Sequence, residues 1–171
     1  MKILKYPNPF LTTPTEEIDF SKDFKGGLAD PLLGKISEMK LLLEKMPRAV
    51  AIAANQVGIN GRFFVLNKDF AETHKLPQVI VNPKYSVKSI QSVVDNEGCL
   101  SFPGANIPVK RHKEIVCTCN SIEGADLILE LTDWPARVFQ HEIEHLDGKV
   151  FIDNLDRIRK YQVIGEMRKK N

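Results

Sequence analysis

Residues 140–148 read Gln-His-Glu-Ile-Glu-His-Leu-Asp-Gly and hold two histidines four positions apart. Positions i and i+4 of an α-helix lie on the same face, so His141 and His145 can bind one metal ion. Glu142 directly follows the first histidine, where it can take a proton from water on that ion. The stretch therefore predicts a helix that carries part of a catalytic metal centre.

The ends of this helix are also predicted. Asp133 is expected to cap its N-terminus, and Pro135 is tolerated in the first turn. Gly148 is expected to close the C-terminus, since glycine readily adopts the left-handed conformation that ends many helices.

The composition indicates one globular domain spanning residues 1–171, with 43% hydrophobic residues and a net charge of +2. So small a net charge argues against nucleic-acid and membrane partners, and no apolar run is long enough to span a bilayer. The chain has three cysteines and no recognisable secretory signal at its N-terminus. We therefore expect a reducing compartment, the cytoplasm, with Cys117 and Cys119 as buried thiols on one face of a strand.

Apolar periodicity and turn residues predict the remaining elements. A helix is expected from Pro31 to Met46, ended by Pro47, followed by a loop over residues 48–59. A second helix is expected after Asn154 as its cap. Strands are expected at Gly61–Asn67, at Val79–Asn82 with Pro83 as the stop, at Val109–Asn120 and at Leu127–Leu131. Residues 85–94 should be extended, residues 95–104 rich in turns, and His112 on the surface.

A catalytic metal needs a third protein ligand, for which the sequence offers three patterns. The metzincin pattern requires a histidine at position 151, which is Phe151, and it fails. A thermolysin-like pattern would use Glu166, which lies five residues from the C-terminus among basic residues. The third candidate is Cys99, whose thiolate suits zinc or ferrous iron and whose neighbour Leu100 could turn its N–H towards a reacting atom.

Three stretches together resemble the motifs of peptide deformylases. Residues 97–101 read Glu-Gly-Cys-Leu-Ser and match the second family motif fully. Residues 140–148 match the third with Glu144 in place of aspartate, and residues 49–56 match the first loosely. The resemblance spans nearly the whole chain.

This resemblance implies an α+β fold with small antiparallel sheets around a central metal-bearing helix. It implies that Cys99, His141 and His145 bind one divalent ion, Fe²⁺ first, with Zn²⁺, Ni²⁺ or Co²⁺ as substitutes. The reaction would remove the N-formyl group from the formylmethionine of nascent polypeptides: metal-bound water attacks the formyl carbon, with Glu142 as general base and then acid. Gln56 and the Leu100 N–H would stabilise the oxyanion. The residues expected to bind substrate are Val50, Ala51, Glu97, Trp134 and Val138.

Departures from the family pattern leave a second hypothesis open. Ala49 and Ala51 replace two glycines of the first motif, so they could strain the backbone or narrow the peptide groove. A deformylase-like protein that binds metal or a peptide end without turnover is therefore the alternative. Basic residues of the last helix could bind ribosomal RNA, although a solvated basic helix is the simpler explanation. These residues are Arg157, Arg159, Lys160, Arg168, Lys169 and Lys170.

Overall fold

The computed structural model describes residues 1–21, 30–46 and 48–168. The helices are α1 (Asp30–Glu44), α2 (Lys68–Thr73), α3 (Asp133–Leu146) and α4 (Arg157–Arg168). The strands are β1 (Ala51–Ala53), β2 (Phe63–Leu66), β3 (Val79–Val87), β4 (Ser92–Cys99), β5 (Phe102–His112), β6 (Glu114–Asn120) and β7 (Asp126–Thr132). Short 3-10 helices span Pro9–Thr12, Ala54–Val57 and Phe151–Asn154. None of the helices in these ranges is long and apolar enough to cross a bilayer.

The strands form two antiparallel sheets. Five of them pair in the order β1-β2-β3-β6-β7, and β4 and β5 form a separate hairpin. Inward and outward residues alternate along β6, which buries Ile115, Cys117 and Cys119 on one face. The predicted α+β fold is confirmed, and both cysteines are the buried thiols expected from the sequence.

Helix α3 packs against both sheets. Its Phe139 ring meets Phe64 of β2 edge-to-face, with ring centroids 5.0 Å apart, inside the main core. A second core lies behind the hairpin, where Phe102 and Phe151 contact each other. Because helix α3 is buried on more than one side, its polar residues at positions 137, 140, 142 and 145 have little contact with solvent.

Two strand predictions need correction. Strand β3 continues through Pro83, because Asn82 adopts φ 49° and the register with β6 shifts between Val81 and Lys84. Such a bulge accommodates a proline that cannot donate to the ladder. The stretch 109–120 is not one strand: its first part belongs to β5 and its second to β6, in different sheets. No glycine or proline marks this break at Lys113.

Local conformations also differ from the sequence predictions between residues 48 and 104. Residues 51–53 form a strand, where a loop was expected, because they pair with β2 from Ala51↔Leu66 to Ala53↔Phe64. In the predicted turn-rich segment 95–104, the strands reach Cys99 and resume at Phe102. The segment between β2 and β3, for which the sequence predicted no helix, contains helix α2.

The helix caps are shifted as well. Asp133 is the first residue of α3, with φ 53°, and Thr132 precedes it in the cap position. The Asp156 carboxylate, not Asn154, accepts a hydrogen bond from the Arg159 N–H at the start of α4. Helix α1 ends at Glu44, and the predicted stop Pro47 lies outside the described residues.

Candidate active site

The hairpin and helix α3 bring three metal-binding side chains together. Cys99 is the last residue of β4, and His141 and His145 lie on successive turns of α3. Their ligand atoms all lie within 4.8 Å of one another, and Cys99 Sγ is 3.2 Å from His145 Nε2. A thiolate and two imidazoles fit Zn²⁺ or Fe²⁺ and leave a coordination position open.

The competing ligand Glu166 is not part of this group. It is exposed on α4, and within the described ranges the cluster that could hold an ion consists of Cys99, His141 and His145. The thermolysin-like pattern is therefore wrong for this chain.

Glu97 orients one of the histidines. Its Oε2 lies 2.9 Å from His141 Nδ1, which leaves the other ring nitrogen for a metal ion. Burial acts to raise the pKa of Glu97, but hydrogen bonds from Arg111 and His141 hold that pKa at about 2. The Glu97 carboxylate is therefore ionised, and its negative charge is balanced by the hydrogen-bond donors around it.

The Glu97 side chain is fully engaged by protein groups. Arg111 donates to both of its oxygens at 2.9 Å, and Arg137 Nη1 donates to Oε1 at 2.6 Å. Only 4% of the side chain is exposed. Both carboxylate oxygens therefore have partners within the protein, and Glu97 also lines the cavity. A contact between Glu97 and substrate stays a prediction.

Sequence reasoning missed the two buried arginines of this network, Arg111 and Arg137. Arg111 also forms an ion pair with Glu144 at 2.6 Å, which links the hairpin to the residue that replaces the family aspartate. Arg111 lies in phase with the inward-facing Ile107 and Val109 of β5. An arginine at an inward position of an alternating strand was the signal that could have identified it. His112, expected on the surface, is half-buried, and its backbone bonds to Gln140.

Glu142 faces the cavity with one oxygen unpaired. Its residue exposure is 5%, and no group in the described part of the chain bonds to Oε2. Burial raises the pKa of Glu142 to about 7. A carboxylate with a free oxygen beside a metal-binding cluster can accept a proton from water and return it.

His145 is held in the form that binds metals. Burial lowers its pKa well below the usual value, and the His141 and Arg111 charges lower it further. Asn55 Nδ2 donates to the His145 carbonyl oxygen and so ties this turn of α3 to the Ala54–Val57 helix. A neutral imidazole has a lone pair free for coordination.

Gln56 approaches the same cluster from the 3-10 helix Ala54–Val57. Its Oε1 accepts a hydrogen bond from the Ala53 N–H at 2.9 Å, so its Nε2 points at the hairpin. Nε2 lies 3.4 Å from Cys99 Sγ and 3.1 Å from Ser101 Oγ. The contact with Ser101 was not anticipated from the sequence.

A cavity of about 770 Å³ opens beside these groups. Its lining includes the five residues expected to bind substrate together with Gln56, Leu100 and Glu142. Trp134 is 44% exposed, whereas Val138 is 6% exposed. Ala49 and Ala51 also line the cavity, and neither has a positive φ. The expected backbone strain is therefore absent, and narrowing of the groove by their Cβ atoms stays a prediction.

Comparison with known proteins decides the family. The family model for polypeptide deformylase matches residues 1–161. The chain belongs to the polypeptide deformylase family. Its Cys-His-His cluster is the metal site expected of a deformylase.

Individual deformylases agree with this assignment. "Peptide deformylase 2" of Gloeobacter violaceus is 36% identical over 71% of this chain and 65% of its own length. "Peptide deformylase 1B, chloroplastic/mitochondrial" of Arabidopsis thaliana is 32% identical over 91% of this chain and 54% of its own. The chain thus spans between half and two thirds of these two relatives. The crystal structure of the Ehrlichia chaffeensis deformylase with actinonin superposes with a TM-score of 0.83 at 28% identity, covering 100% of this chain and 97% of the other.

Proposed function

We propose that this chain hydrolyses the N-formyl group of the formylmethionine that begins nascent polypeptides, and releases formate. This is the activity that its family name describes. The single observation that supports it most is the Cys99, His141 and His145 cluster, with Glu142 and Gln56 beside it in one cavity. We further propose that residues 1–171 act as one catalytic domain.

The three ligands would hold Fe²⁺ in preference, and Zn²⁺, Ni²⁺ or Co²⁺ when these are supplied. The donor set suits such ions because the thiolate is soft and the imidazoles are borderline ligands. A divalent ion held there makes water more acidic and polarises a carbonyl group.

Glu142 is the proposed proton carrier. Its unpaired Oε2 takes a proton from the water that attacks the formyl carbon and later delivers it to the leaving amine nitrogen. The Gln56 Nε2 amide and the Leu100 N–H donate to the formyl oxygen as negative charge develops there. Glu97 keeps His141 oriented throughout, since it holds Nδ1.

The methionine side chain is proposed to pack against Val50, Trp134 and Val138. These apolar groups line the same cavity as the reacting residues. Ala51 is the first residue of β1, which is an edge strand of the five-stranded sheet. An extended peptide can add backbone hydrogen bonds to such an edge.

Formate release tests this proposal. Purified protein loaded anaerobically with Fe²⁺ or Co²⁺ is incubated with formyl-Met-Ala-Ser, and formate is measured by a coupled dehydrogenase. Acetyl-Met-Ala-Ser is the matched control and should not react. Stoichiometric metal without formate release would instead support the second candidate, a metal- or peptide-binding protein without turnover.

Ribosome contact and location are further proposals. Arg157 and Arg159 are exposed on α4 and could bind ribosomal RNA near emerging chains. Truncation of α4 would also remove Val163, which is buried in the second core. Charge reversal at Arg157 and Arg159 therefore tests ribosome contact better than truncation of the helix. Unchanged ribosome co-sedimentation of that double variant would remove the idea.

We propose a cytoplasmic location, supported by the absence of disulfides among the three cysteines.

A further inference from the structure

The turn that carries Leu100 is tied to the N-terminal segment of residues 4–6. Cys99 pairs with Phe102, so Leu100 and Ser101 form the turn between β4 and β5. Lys5 Nζ donates to the Leu100 carbonyl at 2.5 Å, and the Tyr6 N–H donates to the Ser101 carbonyl at 3.0 Å. Both carbonyl groups of the turn are therefore held by residues about 95 positions away.

The same segment reaches the other proposed oxyanion donor. The Leu4 N–H donates to the Gln56 carbonyl at 2.7 Å. The Tyr6 ring stacks on Phe102, with centroids 4.9 Å apart, and so anchors the segment on the hairpin. Residues 4–6 thus bridge Gln56 and Leu100, the two groups that are proposed to face the formyl oxygen.

We infer that Lys5 is a positioning residue for this reaction: its ammonium group holds the carbonyl of the Leu100–Ser101 peptide, which restricts rotation at the Leu100 Cα and so helps to orient the Leu100 N–H of the preceding peptide. This inference rests on the proposed function. Lys5 is the one side chain among residues 4–6 whose polar atom bonds to the turn, and the bond is charge-assisted. The Tyr6 N–H restrains the Ser101 carbonyl and the Cys99–Phe102 pair restrains the ends of the turn, whereas Lys5 bonds to the Leu100 carbonyl between them. Losing this bond should let Leu100 rotate at its Cα and displace its N–H from the formyl oxygen.

The position of Lys5 separates this role from a purely structural one. Lys5 is exposed. A hydrogen bond from an exposed lysine to a carbonyl replaces one to water and costs side-chain entropy, so its net contribution to folding stability is small. Removing it should therefore leave the fold intact. Geometry at the reaction centre is far less tolerant, because small misplacements of a donor reduce the rate strongly.

The Lys5→Met variant tests the inference by steady-state kinetics. We expect kcat to fall about 5- to 20-fold, less than the 10²–10³-fold typical for complete loss of an oxyanion donor. KM for formyl-Met-Ala-Ser should stay unchanged, and Lys5→Arg should restore most of kcat. Lys2→Met is the control: it removes the same charge from an exposed position three residues earlier in the chain, and it should behave as wild type.

A backbone substitution shows whether Lys5 acts through Leu100. Replacing Leu100 by its α-hydroxy acid exchanges the N–H for an ester oxygen and leaves the side chain in place. In that background Lys5→Met should cause no further loss of kcat. A full additional loss would overturn the inference, because the donor that Lys5 orients is already gone.

Hydrogen exchange of the metal-free protein gives a readout independent of activity. In Lys5→Met the peptide containing residues 99–102 should exchange faster, while strands β6 and β7 keep their wild-type rates. An unchanged kcat and unchanged exchange would overturn the inference. So would a raised KM confined to acidic peptides, since Lys5 lines the cavity and would then be a substrate contact. If wild type itself releases no formate, the proposed function fails, and the exchange experiment still decides whether Lys5 holds the turn.

Discussion

Glu97 Oε2 lies 2.9 Å from His141 Nδ1, so one buried carboxylate joins strand β4 to the metal-binding face of α3. The same group accepts hydrogen bonds from Arg111 of β5 and Arg137 of α3. Two arginines and one glutamate thus hold the hairpin against the helix. Cys99 is two residues beyond Glu97, so this contact also sets the distance between the thiolate and the histidines.

Glu97→Gln should weaken both the fold and the metal site. Buried charges that lose their partner typically cost about 3–5 kcal/mol of unfolding free energy, and loss of a histidine-orienting group costs about 10–100-fold in metal affinity. Urea denaturation and metal titration measure the two effects. Glu130→Gln, which breaks the exposed ion pair with Lys88, is the control and should change neither. Wild-type metal affinity in Glu97→Gln would show that His141 is oriented by other contacts.

Cys99→Ala should abolish stoichiometric metal binding, because two histidines alone leave the site open on one side. The Glu166→Ala variant should still bind one equivalent of metal, since Glu166 is exposed on α4. Metal content after anaerobic purification is the measurement, with Cys117→Ala as the cysteine control. The opposite pattern, with metal lost in Glu166→Ala and kept in Cys99→Ala, contradicts our ligand assignment.

Glu142→Gln should keep the metal and lose the reaction. The amide is nearly isosteric but cannot accept the proton, and general base catalysis is worth about 10²–10⁴-fold in rate. Formate release and metal content are measured on the same sample. Substantial activity in this variant would mean that another group moves the proton.

Ala51→Gly should lower KM for formyl peptides and leave kcat nearly unchanged. Ala51 lines the cavity, so removing its Cβ should widen the groove. Since φ at Ala51 is not positive, glycine brings no relief of strain and should cost about 0.5–1 kcal/mol of stability. Ala71→Gly in α2 is the control, because it should lose similar stability without affecting KM. An unchanged KM in Ala51→Gly would show that the alanine does not restrict substrate.

The sequence alone predicted the parts of the site that depend on local order. His141, Glu142 and His145 share a helix, so helical periodicity was enough to place them together. Cys99 could be chosen over Glu166 because its five-residue motif and the helix motif occur together in one family. The α+β class followed from the same resemblance, and apolar stretches bounded by turn residues identified β2 and β7.

Contacts between distant segments were decided only by the tertiary structure. Arg111 and Arg137 come together around Glu97 only in the folded chain, and the inward position of Arg111 along β5 was the one local sign of its burial. Residues 51–53 become a strand only because β2 offers a partner, and Pro83 stays within β3 only because a bulge absorbs it. Lys5 meets Leu100 across 95 positions of chain. Sequence periodicity indicates which face of an element a residue occupies. Which groups meet at the site depends on how the hairpin, helix α3 and the N-terminal segment pack together, and no single stretch of sequence specifies that packing.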